Sequence, residues 1–117
     1  MSKVAAIQMA SGPNVQANLD EVSKFIQMAV QQGAELVVLP ENFAIMGMTE
    51  MDKVVVSEEY GQGLIQDFLS AQASKHGIWL VAGTIPIKSK EENKVYSTCL
   101  LFNDAGEVVT RYDKIHL

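Results

Sequence analysis

The segment Leu36-Val37-Val38-Leu39-Pro40-Glu41-Asn42 decides the fold class of this 117-residue chain. Four consecutive apolar residues are typical of a short strand that is buried on both faces of a parallel sheet. Pro40 has no backbone N–H to offer a neighbouring strand, so the strand is expected to end there. The segment therefore predicts that Glu41 lies at the carboxyl end of a central strand, where open α/β sheets bind their ligands.

The first half of the chain predicts a strand, a helix and a second strand. Residues 3–10 are expected to form the first strand, and Asn14 is a suitable N-cap for a helix that runs to about Gln32 and ends at Gly33. The second strand covers residues 35–39. Apolar residues recur at helical spacing on one face of the helix, namely at Val15, Leu19, Val22, Ile26, Ala29 and Val30.

The second half predicts a long apolar loop, another helix and three more strands. The loop covers residues 42–60, and Phe43 together with Ile45, Met46, Met48 and Met51 gives it a surface that either lines a pocket or covers the core. The helix begins near Leu64 and ends near Gly77. Strands follow over residues 78–83, 95–102 and 107–112, and the last two form a hairpin around Asn103-Asp104-Ala105-Gly106.

This order predicts an α/β fold, a mixed sheet with an antiparallel edge and two helices on one face. It is one domain or part of one. Strands that are apolar on both faces need cover on both sides, and two helices supply only one layer. We therefore expect the other face to be covered by a second copy of the chain, as in a homo-oligomer, or else the chain to be a fragment of limited stability.

Composition excludes several classes of partner. The chain is 48% hydrophobic and 20% charged with a net charge of −5, which is typical of a globular protein and disfavours binding to nucleic acid or to an anionic membrane. No apolar run approaches the ~20 residues that cross a bilayer, and residues 1–3 lead into a strand without a cleavable apolar region. One cysteine, Cys99, indicates a reducing cytoplasm.

No cofactor or metal site is expected. The two histidines, His76 and His116, are not accompanied by a cluster with ligand spacing. The glycines of Gly61-Gln62-Gly63 lack the third glycine of a dinucleotide site and the lysine of a phosphate loop.

Two charged residues at strand ends are the candidate site. Glu41 follows the second strand, and Lys114 follows the last strand within Arg111-Tyr112-Asp113-Lys114-Ile115-His116-Leu117. Taken singly, each is more often a solvated surface charge. Taken together, a carboxylate and an ammonium at two strand ends are half of an active site if they converge.

These elements resemble the carbon–nitrogen hydrolase (nitrilase) superfamily. The similarity begins at Val4-Ala5-Ala6-Ile7-Gln8-Met9 and continues through Asn18-Leu19, the segment from Gly33 to Glu41, Gly83-Thr84, Tyr96-Ser97-Thr98 and Tyr112-Asp113-Lys114-Ile115-His116-Leu117. It covers essentially the whole chain in the right order. The Leu-Pro-Glu and Tyr-x-Lys-x-His-Leu elements form a specific joint signal.

The resemblance implies a Glu-Lys-Cys triad in which the glutamate is Glu41 and the lysine is Lys114. It also implies an α-β-β-α sandwich, of which residues 1–117 are the N-terminal part. The family's cysteine follows the lysine at some distance, so it falls beyond Leu117, and the chain as given is expected to be inactive. Cys99 is not a candidate nucleophile, because its strand has apolar neighbours and predicts a buried, inert thiol.

The predicted function is hydrolysis of a small amide, of the ω-amidase or deaminated-glutathione-amidase kind. Glu41 is the expected general base, a role that favours a desolvated carboxylate with a raised pKa. Lys114 is expected to stabilise the oxyanion. The alternative is a non-catalytic nitrilase-like interaction module.

Overall fold

The computed structural model describes residues 3–9, 11–12, 14–44, 50–91 and 94–114. Its elements in chain order are β1 (Val4–Ala6), α1 (Val15–Gln31), β2 (Leu36–Val38), α2 (Glu50–Val56), α3 (Leu64–His76), β3 (Trp79–Lys88), β4 (Val95–Phe102) and β5 (Val108–Lys114).

The five strands form one mixed sheet whose spatial order is the same as their order in the chain. β1, β2 and β3 pair in parallel, and β3, β4 and β5 pair in antiparallel fashion. The helical crossovers lie in the parallel part, as the βαβ arrangement requires. The predicted α/β class and antiparallel edge are confirmed.

The ends of the two long helices follow from their capping residues. The Asn14 side chain accepts a hydrogen bond from the Ala17 backbone N–H at 2.9 Å, which satisfies one of the unpaired donors at the start of α1. α3 ends at Gly77, whose φ of 62° is the left-handed conformation of a typical C-cap. Both ends were predicted from these residues.

The helix α2 lies inside the segment that was predicted to be a loop. It has two turns and packs on β3. Its last three residues are valines, which have low intrinsic helix propensity, so this packing and not propensity explains the helix. Phe43 at the start of the segment is fully buried, as a residue that covers the core would be. Residues 45–49, which include Ile45, Met46 and Met48, lie outside the described residues.

The strand β3 extends five residues beyond the predicted end at Gly83 and contains a proline. The Pro86 carbonyl accepts from the Glu58 N–H at 3.2 Å, and the Lys88 N–H donates to the Glu58 carbonyl at 2.9 Å. The backbone groups of Pro86 therefore point to the side from which β2 has already departed, since β2 ends opposite Val81. The missing N–H of Pro86 costs the sheet no ladder bond.

The two faces of the sheet differ in their cover. On the face that packs against the helices, fully buried residues are Val37, Leu80, Ala82, Leu100 and Phe102. The opposite face, here called the open face, consists of Val4, Leu36, Trp79, Val81 and Leu101, which surround a depression of about 460 Å³.

Within the described residues, no helix covers the open face, and Val4 and Trp79 are 62% and 40% exposed. On this face Leu36 and Val38 of β2 are half-buried within the described residues, and burial of β2 on both faces stays a prediction that depends on further cover. Cover on one face only was the expected consequence of a single layer of helices.

Candidate functional site

Glu41 and Lys114 reach the site from the ends of two strands that are not neighbours. The chain leaves the sheet after Leu39, whose N–H still donates to the Val81 carbonyl at 2.9 Å, and Pro40 turns it toward the open face. Lys114 is the last residue of β5 and lies opposite Ser97 of β4. Because Ser97 and Leu101 share one face of β4, Lys114 lies on the same side of the sheet as the open face.

The structure brings these two predicted residues together. Lys114 Nζ donates a hydrogen bond to Glu41 Oε1 at 2.8 Å, across a separation of 73 residues in the chain. This is a charge-assisted contact of the stronger kind. Both side chains are nevertheless open to water, at 47% exposed for Lys114 and 60% for Glu41. The pair was expected to be close and shielded, and only the first half of that expectation holds in these residues.

The protonation state of Glu41 follows from the same contact. The hydrogen bond from Lys114, and then its positive charge, hold the pKa of the Glu41 carboxyl below its ordinary value, against a smaller opposing effect of desolvation. A raised pKa was predicted for Glu41 as a general base. The difference arises because desolvation is weak on an uncovered sheet face, so the attraction to the ammonium group dominates.

The turn that follows β2, residues 40–44, is here called the Glu41 turn, and β3 holds its first half. Gly83 has no side chain, and a Cβ atom at this position would overlap the Pro40 carbonyl group. Next to it, the Thr84 hydroxyl oxygen accepts a hydrogen bond from the Asn42 N–H at 2.9 Å. Asn42 is in the left-handed region with φ of 54°, a conformation that asparagine adopts at a lower cost than most residues with a side chain.

The second half of the Glu41 turn is held from α1 and from the segment after β1. The Asn18 side-chain amide donates to the carbonyls of Gly12 and Ala44, each at 2.8 Å, and its oxygen accepts from the Gly12 N–H at 3.0 Å. The Ser11 hydroxyl donates to the Phe43 carbonyl at 2.7 Å. Asn18 is buried and its polar groups are paired, so it fixes the turn without a desolvation penalty.

The end of β5 is held on the opposite face of the sheet from Lys114. The buried Thr98 hydroxyl donates to Asp113 Oδ1 at 2.7 Å, and Arg111 Nε pairs with the same oxygen at 2.9 Å. The Arg111 guanidinium in turn lies over the rings of Tyr60 and Tyr96, at 4.5 and 5.6 Å from their centroids. These contacts fix the strand from which Lys114 projects.

Cys99 differs in part from its prediction. It is half-buried and not fully buried, and burial raises the pKa of its thiol. A raised pKa reduces the thiolate fraction at neutral pH, which agrees with the expectation that Cys99 is not an activated nucleophile.

The part of the chain that the structure describes was compared with the requirements of a metal site and of a membrane-spanning helix. No group of three or more His, Cys, Asp or Glu side chains there is arranged to hold a metal ion. None of the helices in the described ranges is long and apolar enough to span a bilayer. His76 ends α3 and is half-buried, and His116 lies outside the described residues.

Several residues that build the site were not assigned a role from the sequence. Thr84 and Thr98 belong to segments that carry the family resemblance, and Asn18 belongs to another, but nothing in their local sequence indicates which backbone they bind. Asn42 carries a weak signal, since asparagine is the residue besides glycine that most readily adopts the left-handed conformation. The left-handed conformation of Asn42 could therefore have been predicted from the sequence.

The structure is a mixed α/β sheet that presents a paired carboxylate and ammonium at the ends of two strands. The chain belongs to the carbon–nitrogen hydrolase family, which matches residues 3–117.

Individual relatives agree with this membership. The chain is 40% identical to a deaminated glutathione amidase of Synechocystis sp. over 97% of its own length and 41% of the relative's. It is 36% identical to the omega-amidase NIT3 of Saccharomyces cerevisiae over 98% of its length and 41% of that protein's. The crystal structure of Saccharomyces cerevisiae Nit3, a nitrilase superfamily member, superposes with a TM-score of 0.86 at 33% identity, over 98% of this chain and 44% of that one.

The chain thus spans about two fifths of the length of these curated relatives. The predicted family and the nitrilase-like α/β fold are confirmed.

Proposed function

We propose that this chain is the N-terminal part of a carbon–nitrogen hydrolase that cleaves a small amide. Relatives named deaminated glutathione amidase and omega-amidase support a short carboxylate-bearing amide as the substrate class. The observation that carries the proposal is the 2.8 Å contact between Lys114 Nζ and Glu41 Oε1, because it assembles a base and a cation at one point.

The proposed reaction needs a third group, a cysteine thiol from chain outside these 117 residues. Glu41 takes the thiol proton, and the thiolate attacks the amide carbon to give a tetrahedral oxyanion. Lys114 stabilises that oxyanion by its charge and by hydrogen bonding. The C–N bond then breaks, and the proton on Glu41 passes to the leaving ammonia. Glu41 next removes a proton from water, which hydrolyses the thioester and releases the carboxylic acid and the thiol. The reaction uses no cofactor.

The pKa of Glu41 connects this reaction to the open face. With its pKa lowered, Glu41 is ionised at neutral pH and is able to accept a proton, but it is a weak base. Further structure packed over the open face would exclude water and raise the pKa toward the operating pH, which is where general bases are most effective. We therefore expect the pKa of Glu41, and so its strength as a base, to depend on whether further structure covers the open face.

An activity assay tests the proposal. The protein as its own gene encodes it is expected to release ammonia from ω-amides such as short dicarboxylic acid monoamides, and to act much more slowly on the matching nitriles. Mass spectrometry during turnover should show a thioester on a cysteine other than Cys99. Ammonia release that survives in the isolated 117-residue chain, or an acylated Cys99, would contradict the assignment of the nucleophile.

We further propose that the protein is cytoplasmic and that, in the isolated 117-residue chain, a second copy of the chain covers the open face, which the rest of the sandwich covers in the longer protein. Exposed apolar patches of this kind mark interaction sites, and Val4 and Trp79 are exposed apolar residues of the open face. In sedimentation velocity the 117-residue chain should associate, and Trp79→Lys should shift it to the monomer. Met28→Lys is the matched control, because Met28 is 52% exposed on α1. A wild-type chain that is monomeric and melts cooperatively would contradict this.

The open face also favours a second candidate function, a non-catalytic nitrilase-like interaction module. In that case the same apolar surface is the functional one and the Glu41–Lys114 pair only joins two strand ends. The gene sequence beyond Leu117 separates the two candidates. An isolated cysteine after a strand within a few dozen residues supports the hydrolase, and a stop codon supports the module.

A further inference from the structure

The Glu41 side chain has little to fix it apart from the backbone that carries it. Within the described residues, its carboxylate has Lys114 as its hydrogen-bond partner, and both side chains extend into solvent. Long exposed side chains of this kind sample several rotamers, and holding two of them in one geometry costs entropy. The Glu41 turn sets the position of the Glu41 Cα atom, and this position determines whether the carboxylate reaches Lys114.

The Glu41 turn is held nearest to Glu41 by Thr84. The Thr84 hydroxyl oxygen accepts a hydrogen bond from the Asn42 N–H at 2.9 Å. The same oxygen lies 3.4 Å from the Asn42 side-chain oxygen. Thr84 is buried at 6% exposure on β3, so its own position is fixed by the sheet. Asn42 directly follows Glu41, and its φ of 54° lies in the left-handed region, which asparagine adopts more readily than other residues with a side chain and which the Thr84 contact then holds.

We propose that Thr84 is a positioning residue for the reaction, which holds Asn42 in its left-handed conformation and thereby aims the Glu41 carboxylate at Lys114. Thr84 does not touch the substrate in this assignment, and it acts only through the Glu41 turn. The inference rests on the proposed function of Glu41 as the base, and it gives a role to a residue that local sequence left without one. The more distant contacts of Asn18 and Ser11 hold the other end of the same turn.

The test removes the Thr84 hydroxyl and follows the Glu41–Lys114 contact through the pKa of the Glu41 carboxyl. Three variants are compared with the wild type: Thr84→Val, which keeps the shape and loses the acceptor, Thr84→Ser, which keeps the hydroxyl, and Ser70→Ala. Ser70 is the control because its hydroxyl also bonds to the backbone in another part of the fold, where it donates to the Gly106 carbonyl at 2.7 Å. Carbon-13 NMR reports the pKa of the Glu41 carboxyl in each variant.

The wild type, Thr84→Ser and Ser70→Ala are expected to keep the lowered pKa of Glu41. In Thr84→Val the pKa of the Glu41 carboxyl should move back toward the ordinary carboxyl value. Lys114→Ala gives the reference value of that pKa for complete loss of the contact. In the active protein Thr84→Val should lower kcat with little change in KM, and Thr84→Ser should restore it. A Thr84→Val variant that keeps the wild-type pKa of Glu41 overturns the proposal.

A second measurement needs no variant and decides the matter if Thr84→Val fails to fold. The Asn42 amide of the wild type is expected to exchange slowly with deuterium, since its N–H is bonded to Thr84. Fast exchange at Asn42 overturns the proposal. Both readouts are independent of turnover, so a protein without amidase activity but with these NMR results would contradict the proposed function while showing that Thr84 holds the Glu41 turn.

Discussion

Glu41→Gln is expected to reduce amide hydrolysis by roughly 100- to 10,000-fold, the range that general acid–base catalysis contributes. Glutamine has the size of glutamate and still accepts a hydrogen bond from Lys114 Nζ, so the turn and the fold should remain. It has no basic oxygen to take the thiol proton or to activate water. The measurement is kcat/KM for ammonia release by the protein as its gene encodes it, with circular dichroism as the check on folding.

The matched variants separate the roles of charge and proton transfer. Lys114→Ala should lower kcat by about 100- to 1,000-fold, the cost of losing one group that stabilises an oxyanion. Because the two residues act as a unit, the double variant should lose little more than either single one. Glu59→Gln and Lys88→Ala, two exposed residues outside the site, should retain full activity. Wild-type turnover in Glu41→Gln would show that the base has been assigned to the wrong residue.

Gly83→Ala is expected to have the largest effect on stability. The added Cβ would overlap the carbonyl carbon and oxygen of Pro40, and these are backbone atoms that cannot rotate away. Overpacking of this kind costs about 1–3 kcal/mol and occasionally more, and we expect the upper end, about 3 kcal/mol. Urea-induced unfolding followed by fluorescence of Trp79 gives the free energy of unfolding.

A second glycine provides the control for this substitution. Gly12→Ala adds the same methyl group where no atom beyond the two adjacent residues lies within 4 Å. Its effect should be within about 1 kcal/mol, the usual size of a Gly→Ala change at a site without strain. Gly83→Ala should also weaken the Glu41–Lys114 contact, because it pushes the Glu41 turn away from β3. Equal stability of the two alanine variants would contradict the close approach of Pro40 to β3.

Local signals account for most of the fold that was predicted. The N-cap at Asn14, the C-cap at Gly77 and the hairpin around Asn103–Gly106 each involve atoms only a few residues apart. In the hairpin, for example, Asn103 Oδ1 accepts from the N–H groups of Ala105 and Glu107, both at 3.0 Å. Such contacts form in almost any tertiary setting, so a residue pattern is sufficient to predict them.

The errors in the predicted fold have a common origin in tertiary contacts. α2 forms where the sequence favours a loop, because it packs on β3. β3 continues through Pro86 because Glu58, from a distant segment, bonds to the free side of the strand. Neither contact can be predicted from the local sequence. The first overrides the preference for a loop, and the second overrides the preference for the strand to end before Pro86.

The sequence by itself determined the family, the α/β class, the helix ends and the identity of the two charged residues at strand ends. Only the tertiary structure decided that Lys114 lies 2.8 Å from Glu41 and that one sheet face of these residues is uncovered. It also decided that the pKa of Glu41 is lowered, not raised. The physical reason is that residue type and spacing determine structure over a few positions. A contact between residues that are 73 positions apart depends on strand order and register, and its effect on the pKa depends on how much solvent reaches the sheet face.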